Sequence, residues 1–295
     1  MTKISRLVFF TKKNTGKAKS SDRIDTTSIS VVIPVKDNQK GINQYLEYFF
    51  KTQIPEHYPK EIIIVDNDSV IPIEVEQRFR SNNLLIKVLD CKKPGPGAAR
   101  NAGVKAAEGD WILFNDSDCL PTSSTVSGYL KSENGSVGYA GNVKSFGNDK
   151  LSAYYESQEI LVPAKIYNNK GVFTPQYIIT ANALVWKKAF EDIGGFNETM
   201  DLAGGEDIDL GLRLSEIGDL SYCFESIVLH DFSDGWAGFR KRFIRYGRGN
   251  RIVARIWEAD LTPRLFRANK KTLFNVVAAK LQFLFLAIGY FQERN

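Results

Sequence analysis

The sequence contains few cysteines and no long apolar segment near its start. Its three cysteines among 295 residues are widely spaced and include no Cys-x-x-Cys pair. The odd number and the wide spacing argue against a disulfide framework, and the lack of a Cys-x-x-Cys pair disfavours a zinc or redox site, so we expect a reducing compartment such as the cytoplasm. The first apolar stretch, Leu7 to Phe10, is too short for the core of a signal peptide, and we expect none.

One long apolar segment does occur near the C-terminus, although polar residues interrupt it. It runs from Leu273 to Phe291 and contains Asn275, Lys280 and Gln282. A helix of this length spans roughly 28 Å, which barely matches the hydrocarbon core of a bilayer. Because a lysine near its centre makes spanning costly, we expect a helix that packs on the protein, lies at a membrane surface or forms a homodimer contact.

Acidic residues are scarce in one part of the chain, and the net charge of +5 is therefore unevenly placed. Residues 240–271 contain eleven Lys or Arg and two acids. Such a patch favours a local anionic partner, which can be a phosphate group, an anionic lipid surface or nucleic acid. No recognition-helix, zinc or ribonucleoprotein motif accompanies it, so we expect no nucleic acid.

Short apolar strands alternate with helical stretches in the first half of the sequence. This alternation predicts right-handed β-α-β units, and hence an α/β fold with a mostly parallel central sheet flanked by helices. We expect a flexible basic arm over 1–27, a catalytic domain over 28–235 and a basic, apolar helical extension over 236–295. The predicted strands are 29–35, 62–65, 84–89 and 111–114, and the predicted helices are 42–51, 73–80, 97–107 and one starting at Pro121.

Carboxylates collect where these strands end. In a parallel sheet the carboxyl ends of the strands form one edge, where ligands bind, and five acids lie there: Asp37, Asp66, Asp68, Asp116 and Asp118. The pair Asp116 and Asp118 is spaced to face one divalent cation, and hard oxygen ligands suit Mg²⁺ or Mn²⁺. The same pair also fits an ordinary helix cap or turn, and the spacing alone does not separate the two.

Two further segments combine glycine with charge. The segment Gly95 to Gly103 contains Arg100 at a helix start, where it can pair with an acid of the sheet edge, contact a phosphate or serve only as a structural arginine. The segment Gly204 to Leu214 starts a helix with Glu206 and Asp207. Acids at a helix N-terminus are ordinary caps, but one of them at a cleft can act as a general base.

The remaining candidates lie after residue 226. His230 follows a strand-like apolar run, where a lone histidine is more often structural than a ligand. Arg242, Arg245 and Arg248 recur at every third position. This row either forms a solvated helix face or lies on roughly one side of a helix, where it suits a diphosphate or an anionic acceptor.

Taken together, six segments resemble family 2 glycosyltransferases with the GT-A fold. They occur in the order and spacing of that family over about residues 28–250, namely Ser30-Val31-Val32-Ile33-Pro34-Val35, Val65-Asp66-Asn67-Asp68-Ser69, Gly97-Ala98-Ala99-Arg100-Asn101-Ala102-Gly103, Asn115-Asp116-Ser117-Asp118, Gly194-Gly195-Phe196-Asn197-Glu198 and Gly205-Glu206-Asp207-Ile208-Asp209-Leu210. The resemblance implies inverting transfer of a sugar from a nucleoside diphosphate, with a UDP-sugar as the expected donor. The acceptor is expected to be a hydroxyl of a glycan, a lipid-linked glycan or another molecule.

The resemblance also implies roles for residues by position. Those that would contact the nucleotide sugar are Pro34, Val35, Asp37, Asp66, Asp68, Arg100, Asp116, Asn182, Arg242 and Arg245. Asp118 would ligate Mn²⁺ or Mg²⁺ together with Asp116, and His230 matches a further ligand. Asp207 matches the general base, and Glu206 would position the acceptor or the sugar. Arg242-x-x-Arg245-Tyr246 is similar to the Gln-x-x-Arg-Trp motif of processive members, but two of its residues differ.

Two other functions fit parts of the pattern. A nucleotidyltransferase also uses acids and a metal on an α/β sheet, but it needs a Gly-rich loop after the first strand, where this chain has Lys36-Asp37-Asn38. A non-catalytic sugar-nucleotide-binding or scaffold protein is the main alternative. The presence of both acidic pairs, one for a metal and one for a base, favours the enzyme. We expect the protein in the cytoplasm, either free or bound peripherally at the inner face of a membrane.

Overall fold

The first four strands form where the sequence predicts them. A computed structural model describes residues 18–20, 23–80, 82–132, 134–167 and 171–293. The elements of its first part are β1 Ile29–Val35, α1 Gln39–Thr52, β2 Glu61–Asp66, α2 Gln77–Arg80, β3 Leu85–Asp90, α3 Pro96–Ala106 and β4 Trp111–Asn115. Those of the second part are β5 Cys119–Pro121, β6 Gly138–Ser145, α4 Lys150–Ser157, β7 Lys165–Tyr167, β8 Phe173–Pro175, β9 Asn182–Trp186, α5 Lys187–Asp192, α6 Glu206–Ile217, β10 Leu220–His230, α7 Gly235–Ile256 and α8 Leu273–Gln292.

Eight of these strands form one sheet in the order β3-β2-β1-β4-β9-β6-β10-β5. Strands β1 to β4 are parallel to one another, as are β6 and β10, whereas β9 is antiparallel to both neighbours and β5 is antiparallel to β10. The mostly parallel α/β sheet with flanking helices is therefore confirmed. Strands β7 and β8 form a separate small hairpin.

Burial explains why the first half folds as predicted. Strands β2 and β4 are buried at every position, which is typical of parallel strands covered on both faces. Helix α1 buries Ile42, Tyr45, Leu46 and Phe49, a spacing that puts all four side chains on one face of a helix. These residues belong to the main hydrophobic core.

Two predicted helices are wrong. In both segments, hydrogen bonds between side chains and backbone groups stabilise a different conformation. The helix predicted over 73–80 is only α2, because the amide of Ile73 donates to Asp66 and that of Glu74 donates to Gln39 (3.0 and 2.9 Å). The helix predicted from Pro121 is replaced by β5 and turns, where the hydroxyls of Thr122 and Thr125 donate to the same backbone carbonyl on β10. Threonine side chains that bond to backbone in this way disfavour helix.

The C-terminal extension packs closely on the rest of the chain. Helices α7 and α8 share a second core cluster with α4, and Tyr154 of α4 donates a hydrogen bond to Gln282 of α8 at 2.6 Å. The backbones of α7 and α8 approach at Gly247 and Gly289, where a Cβ would meet carbonyl oxygens of the other helix. The boundary expected at residue 236 stays a prediction.

Most of the expected basic arm lies outside the described residues. Its last part is held by the fold, since Ile24 is buried in the main core and the amide of Ala18 bonds to the carbonyl of Ile217 at 2.5 Å. The described end of the arm is therefore packed rather than extended into solvent.

We predict that Gly247→Ala destabilises the protein. Helix propensity alone would make this exchange stabilising by about 1 kcal/mol. The new Cβ would instead collide with the carbonyl of Leu286, and overpacking at such a contact costs about 1–3 kcal/mol. Thermal unfolding should show a melting temperature that falls by several degrees, and a rise would contradict the close contact between the two helices.

Candidate functional site

A tight reversal of the chain presents Asp116 and Asp118 at the edge of the sheet. Strand β4 ends at Asn115, and β5 returns beside β10, so that Cys119 pairs with His230. The amide of Cys119 donates to the carbonyl of Asp116, and the amide of Asp231 donates to the carbonyl of Asp118, both at 3.1 Å. These bonds fix the turn and bring a residue from the far end of the chain beside the acidic pair.

The three side chains Asp116, Asp118 and His230 form a candidate metal site. One ligand atom from each lies within 4.8 Å of the others, and the Nε2 atom of His230 is 3.4 Å from Asp118. The Nδ1 atom of His230 contacts the carbonyl of Asp231 at 3.0 Å. When a neutral ring carries its proton on Nδ1 and donates it to this carbonyl, the lone pair of Nε2 is available to a metal.

The electrostatics of this cluster suit a cation. Burial raises the pKa of Asp118, and the nearby charge of Asp116 raises it further, while His230 and Arg242 oppose the shift. Two carboxylates in one place repel each other when both are ionised, and a divalent ion removes that repulsion. Two carboxylate ligands with one imidazole are an ordinary donor set for a hard or borderline divalent metal.

Arg100 connects this cluster to the second acidic motif. Its side chain is buried, with 3% of the residue exposed. One terminal nitrogen lies 2.7 Å from Asp116 and the other lies 3.0 Å from Glu206. The guanidinium also stands over the ring of Phe196, 5.5 Å from its centre. The segments that carry the two acidic pairs, ninety residues apart in sequence, are therefore joined by one side chain.

The start of α6 gives Glu206 and Asp207 different surroundings. Gly205 precedes them at φ +98, a backbone conformation that glycine adopts without strain. Glu206 accepts hydrogen bonds from Arg100 and from the amide of Gly204 at 2.6 Å, so both of its oxygens are engaged. Asp207 accepts one from the amide of Ile208 at 2.9 Å. Its position suits proton transfer better than that of Glu206.

The pKa of Asp207 is raised to about 7. The largest cause is burial, the charge of Glu206 adds to it, and Arg100 opposes it. The charge of Asp207 also acts on Tyr177 and Tyr246, and burial raises the pKa of each tyrosine to about 12, so both stay protonated at neutral pH. A carboxylate that titrates near neutral pH is well matched to general base catalysis.

Neither tyrosine was among the predicted site residues. Tyr246 lies in the segment that is similar to the Gln-x-x-Arg-Trp motif, and that similarity was the available signal. No sequence signal indicated Tyr177. It follows the β7–β8 hairpin and reaches α6 only through tertiary packing, where its backbone lies against Gly211.

The predicted arginine row is wrong as a single face. Arg242 is buried, pairs with Asp234 at 2.9 Å and bonds to the hydroxyl of Tyr155 at 2.7 Å. Arg245 is exposed, and Arg248 pairs with Glu293 at 2.8 Å, next to the end of α8. Residues three apart on a helix drift by 60° at each step, so the three arginines point in different directions around α7, with Arg242 towards Asp234 and Tyr155 and Arg248 towards the end of α8.

Asn182 also differs from its predicted place. It is 1% exposed. Its amide nitrogen donates to Asn142 and Ser226, and its oxygen accepts from Tyr129 at 3.0 Å. Asn142 and Ser226 belong to β6 and β10, and Tyr129 is a fully buried residue outside the strands. The side chain therefore satisfies buried polar groups in the core and presents no open face to a donor sugar.

The predicted nucleoside residues lie together at the ends of β1 and β2. Pro34 and Val35 pair with Val65 and Asp66 across the two strands. The oxygens of Asp66 accept from the amides of Ser69 and Ile73, and these bonds lower its pKa although burial opposes them.

The two other acids of this region, Asp37 and Asp68, lie in the loops that follow β1 and β2. Asp37 accepts from the amide of Val70 at 2.7 Å, and the exposed Asp68 pairs with Lys92 at 3.3 Å. Both have positive φ, +52 and +60. For residues with a side chain this conformation is uncommon and often marks a functional loop.

A comparison with protein-family models decides the family. The model described as "Glycosyl transferase family 2" matches residues 30–194, more than half of the chain. This chain belongs to glycosyl transferase family 2. The predicted family is thereby confirmed.

Known members of the family match different shares of the chain. The pre-mycofactocin glycosyltransferase of Mycobacterium tuberculosis is 29% identical over 213 residues, which are 69% of this chain and 42% of the relative. The glycosyltransferase AglE of Haloferax volcanii is 27% identical over 248 residues, 79% of this chain and 75% of the relative. This chain thus spans less than half the length of the mycobacterial relative.

Solved structures of GT-A glycosyltransferases share the fold. The mannosyltransferase PcManGT from Pyrobaculum calidifontis, in complex with GDP-Man and Mn²⁺, superposes with a TM-score of 0.56 at 14% identity, covering 95% of this chain and 78% of that one. TarS 1-349 of S. aureus in complex with UDP gives 0.52 at 20% identity, covering 78% and 70%. At these identities the likeness shows the fold alone.

We predict that Asp207→Asn makes the protein more stable at alkaline pH. The folded pKa of about 7 exceeds the ordinary value of 3.8, so the fold favours the protonated acid and loses stability as the pH rises through the folded value. Asparagine never ionises and avoids this loss. The variant should melt a few degrees higher than the parent at pH 8, and the difference should shrink as the pH falls towards 4.

The control for this experiment is Asp201→Asn, which changes an exposed acid six residues earlier. It should melt like the parent at every pH. A difference between Asp207→Asn and the parent that does not vary with pH would contradict the raised pKa.

Proposed function

We propose that the protein transfers a sugar from a UDP-sugar to an acceptor hydroxyl with inversion and with the help of a divalent metal. The observation that carries this proposal is the ion pairing of Arg100, which joins the Asp116, Asp118 and His230 cluster to the start of α6 with Asp207. A metal site for a diphosphate and a base for a hydroxyl then lie on opposite sides of one arginine. The family membership supports the same chemistry.

The metal is proposed to be Mn²⁺ or Mg²⁺, held by Asp116, Asp118 and His230. Bound there, the ion would neutralise the charge of the diphosphate as it leaves. The imidazole of His230 favours Mn²⁺, because Mg²⁺ prefers oxygen ligands. Arg242 is a second source of positive charge, since it acts on Asp118 electrostatically.

The chain's own residues divide the remaining work. Asp207 would accept the proton of the acceptor hydroxyl while that oxygen attacks the anomeric carbon from the side opposite the diphosphate, and a single displacement of this kind inverts the configuration. Glu206 would hold the start of α6 in place through its bonds to Arg100 and Gly204. No carboxylate is required as a nucleophile.

We further propose a donor and a class of acceptor. A UDP-sugar is favoured because TarS of Staphylococcus aureus is 30% identical over 98 residues and its fold superposes in the complex with UDP. The pocket would use Pro34, Val35, Asp37, Asp66 and Asp68. The acceptor remains a hydroxyl of a glycan, a lipid-linked glycan or another molecule. A thermal-shift screen of UDP-, GDP- and dTDP-sugars with and without Mn²⁺ would identify the base.

We also propose that the protein acts in the cytoplasm, at the inner face of a membrane. The three cysteines are free and buried, which is compatible with a reducing compartment. The long apolar helix α8 and the basic patch support the membrane. Against a non-catalytic binding protein stands the raised pKa of Asp207, which a scaffold does not need.

We predict that Asp207→Asn abolishes transfer while donor binding persists. Asparagine cannot accept the proton, but it keeps the shape of the side chain and stays outside the metal cluster. The rate of sugar transfer should fall by about 100-fold or more, the range expected for removal of a general base. Titration calorimetry should give a donor affinity within a few-fold of the parent. Transfer at near the parent rate would show that another group is the base.

We predict that His230→Ala and Asp118→Asn each weaken Mn²⁺ binding by about tenfold or more, because each removes one proposed ligand. The measurement is the fraction of free Mn²⁺ seen by electron paramagnetic resonance during a titration. Asp231→Asn is the matched control, since this acid is adjacent to His230 and its side chain bonds instead to the amide of Ser233. Parent-like Mn²⁺ affinity in His230→Ala would remove His230 from the ligand set.

A further inference from the structure

Helix α8 has an apolar face that no described part of the chain covers. The exposed side chains recur at helical spacing along the full length of the helix and are Leu273, Val276, Val277, Leu284 and Phe291. Leu273 is 83% exposed and Phe291 is 69% exposed. Within the described residues, α8 is long and apolar enough to cross a membrane, and a third of its most apolar stretch is buried. An exposed apolar stripe of this length on a protein surface marks an interaction site.

The opposite face of α8 is fixed to the protein. Gln282 accepts a hydrogen bond from Tyr154, and Asn275 donates one to the carbonyl of Lys270. Gly289 lies directly against the carbonyl of Ile244 on α7. If α8 crossed a bilayer it would have to leave α7 or draw that arginine-rich helix into the hydrocarbon, and either step is costly. The helix can therefore meet a membrane only from the side.

The surroundings of the apolar face are basic. From Leu261 to Gln292 the sequence contains five Lys or Arg and no acid. Lys270 and Lys271 immediately precede the helix and are exposed. At its other end Arg251 lies over the ring of Tyr290, 5.3 Å from the centre, and Arg255 is exposed beside Glu293. Cations thus stand at both ends of one apolar stripe.

Charge decides which partner this surface fits. Lys280 lies in the middle of the apolar stripe and is exposed. A second copy of the chain would bring two such lysines and two basic borders together, and like charges in close contact are unfavourable. An anionic bilayer instead attracts every one of these cations, and the long stem of Lys280 can lie in the apolar zone while its charge reaches the headgroups.

We propose that α8 lies in the plane of an anionic bilayer, with Leu273, Val277, Leu284 and Phe291 inserted into the headgroup region and the flanking cations on the lipid phosphates. Amphipathic helices with a basic border bind membranes in this manner. This inference rests on the proposed membrane location and not on the transfer reaction.

The test is co-sedimentation of the full chain with vesicles. The parent should bind vesicles of phosphatidylcholine with 30% phosphatidylglycerol and should bind pure phosphatidylcholine at least tenfold more weakly. Leu284→Asp should reduce binding to the anionic vesicles about tenfold or more, because it places a charge in the apolar stripe. The double variant Lys270→Glu/Lys271→Glu should reduce it about 30-fold or more, since each lost cation weakens attraction about fivefold.

Matched controls carry the same chemical changes elsewhere. Leu85→Asp replaces a leucine of the outer strand β3 that is 50% exposed, against 47% for Leu284. Lys105→Glu/Lys131→Glu changes the net charge by the same amount at two exposed positions. Both controls should bind like the parent.

Three results would overturn the proposal. They are equal binding to neutral and anionic vesicles, no binding at all, and equal losses in the α8 variants and their controls. Light scattering on the same samples adds a fourth, since a dimer that Leu284→Asp converts to monomer would assign the face to a second copy of the chain. Mn²⁺ binding and sugar transfer to a soluble acceptor should be unchanged in Leu284→Asp, so loss of vesicle binding alone leaves the proposed chemistry untouched.

Discussion

The buried ion pairing of Arg100 is the interaction on which the arrangement of the site depends. A guanidinium that is almost completely withdrawn from water is costly unless carboxylates compensate it, and here Asp116 and Glu206 do so from two different segments. Removing Arg100 would leave the buried carboxylate of Glu206 without its paired cation. The start of α3, the end of β4 and the start of α6 must therefore meet in one geometry. This constraint explains why an arginine, an acidic pair and a Gly-Glu-Asp helix start occur together in one chain.

The same arginine also limits the chemistry of its neighbours. It opposes the rise in the pKa of Asp207, which burial and Glu206 produce together, so that this carboxylate titrates near neutral pH rather than higher. It also engages an oxygen of Asp116. Asp118 has no such partner and faces His230 instead. The two acids of the pair thus differ in surroundings, as do Glu206 and Asp207. In each pair one member is held by Arg100 and the other is not, and it is the second member for which we propose the metal or the proton.

The sequence was sufficient for the parts of the fold and site that local pattern controls. Buried apolar runs gave the strands, and because parallel strands end at one edge, the acids that follow them were expected to meet. The sequence was insufficient where side-chain groups form hydrogen bonds with the backbone, or where tertiary packing decides which way a side chain points. Asp66 and Gln39 hold 73–74 out of a helix, two threonines replace a helix with β5, and Asn182 turns inward because the sheet contains polar groups to satisfy. None of these partners is adjacent in sequence, so no local pattern reports them.

Helix α7 lies between the candidate metal site and helix α8. One side of it carries Arg242, which acts electrostatically on Asp118, while another side packs on α8 at Gly247. Because α7 packs directly on α8, placing α8 in the plane of a membrane would bring the candidate site near the lipid headgroups. An acceptor hydroxyl carried on a lipid could then reach Asp207 without leaving the bilayer surface. A soluble glycan gains nothing from this geometry, and for that reason the position of α8 favours the lipid-linked acceptor among the three that the chemistry allows.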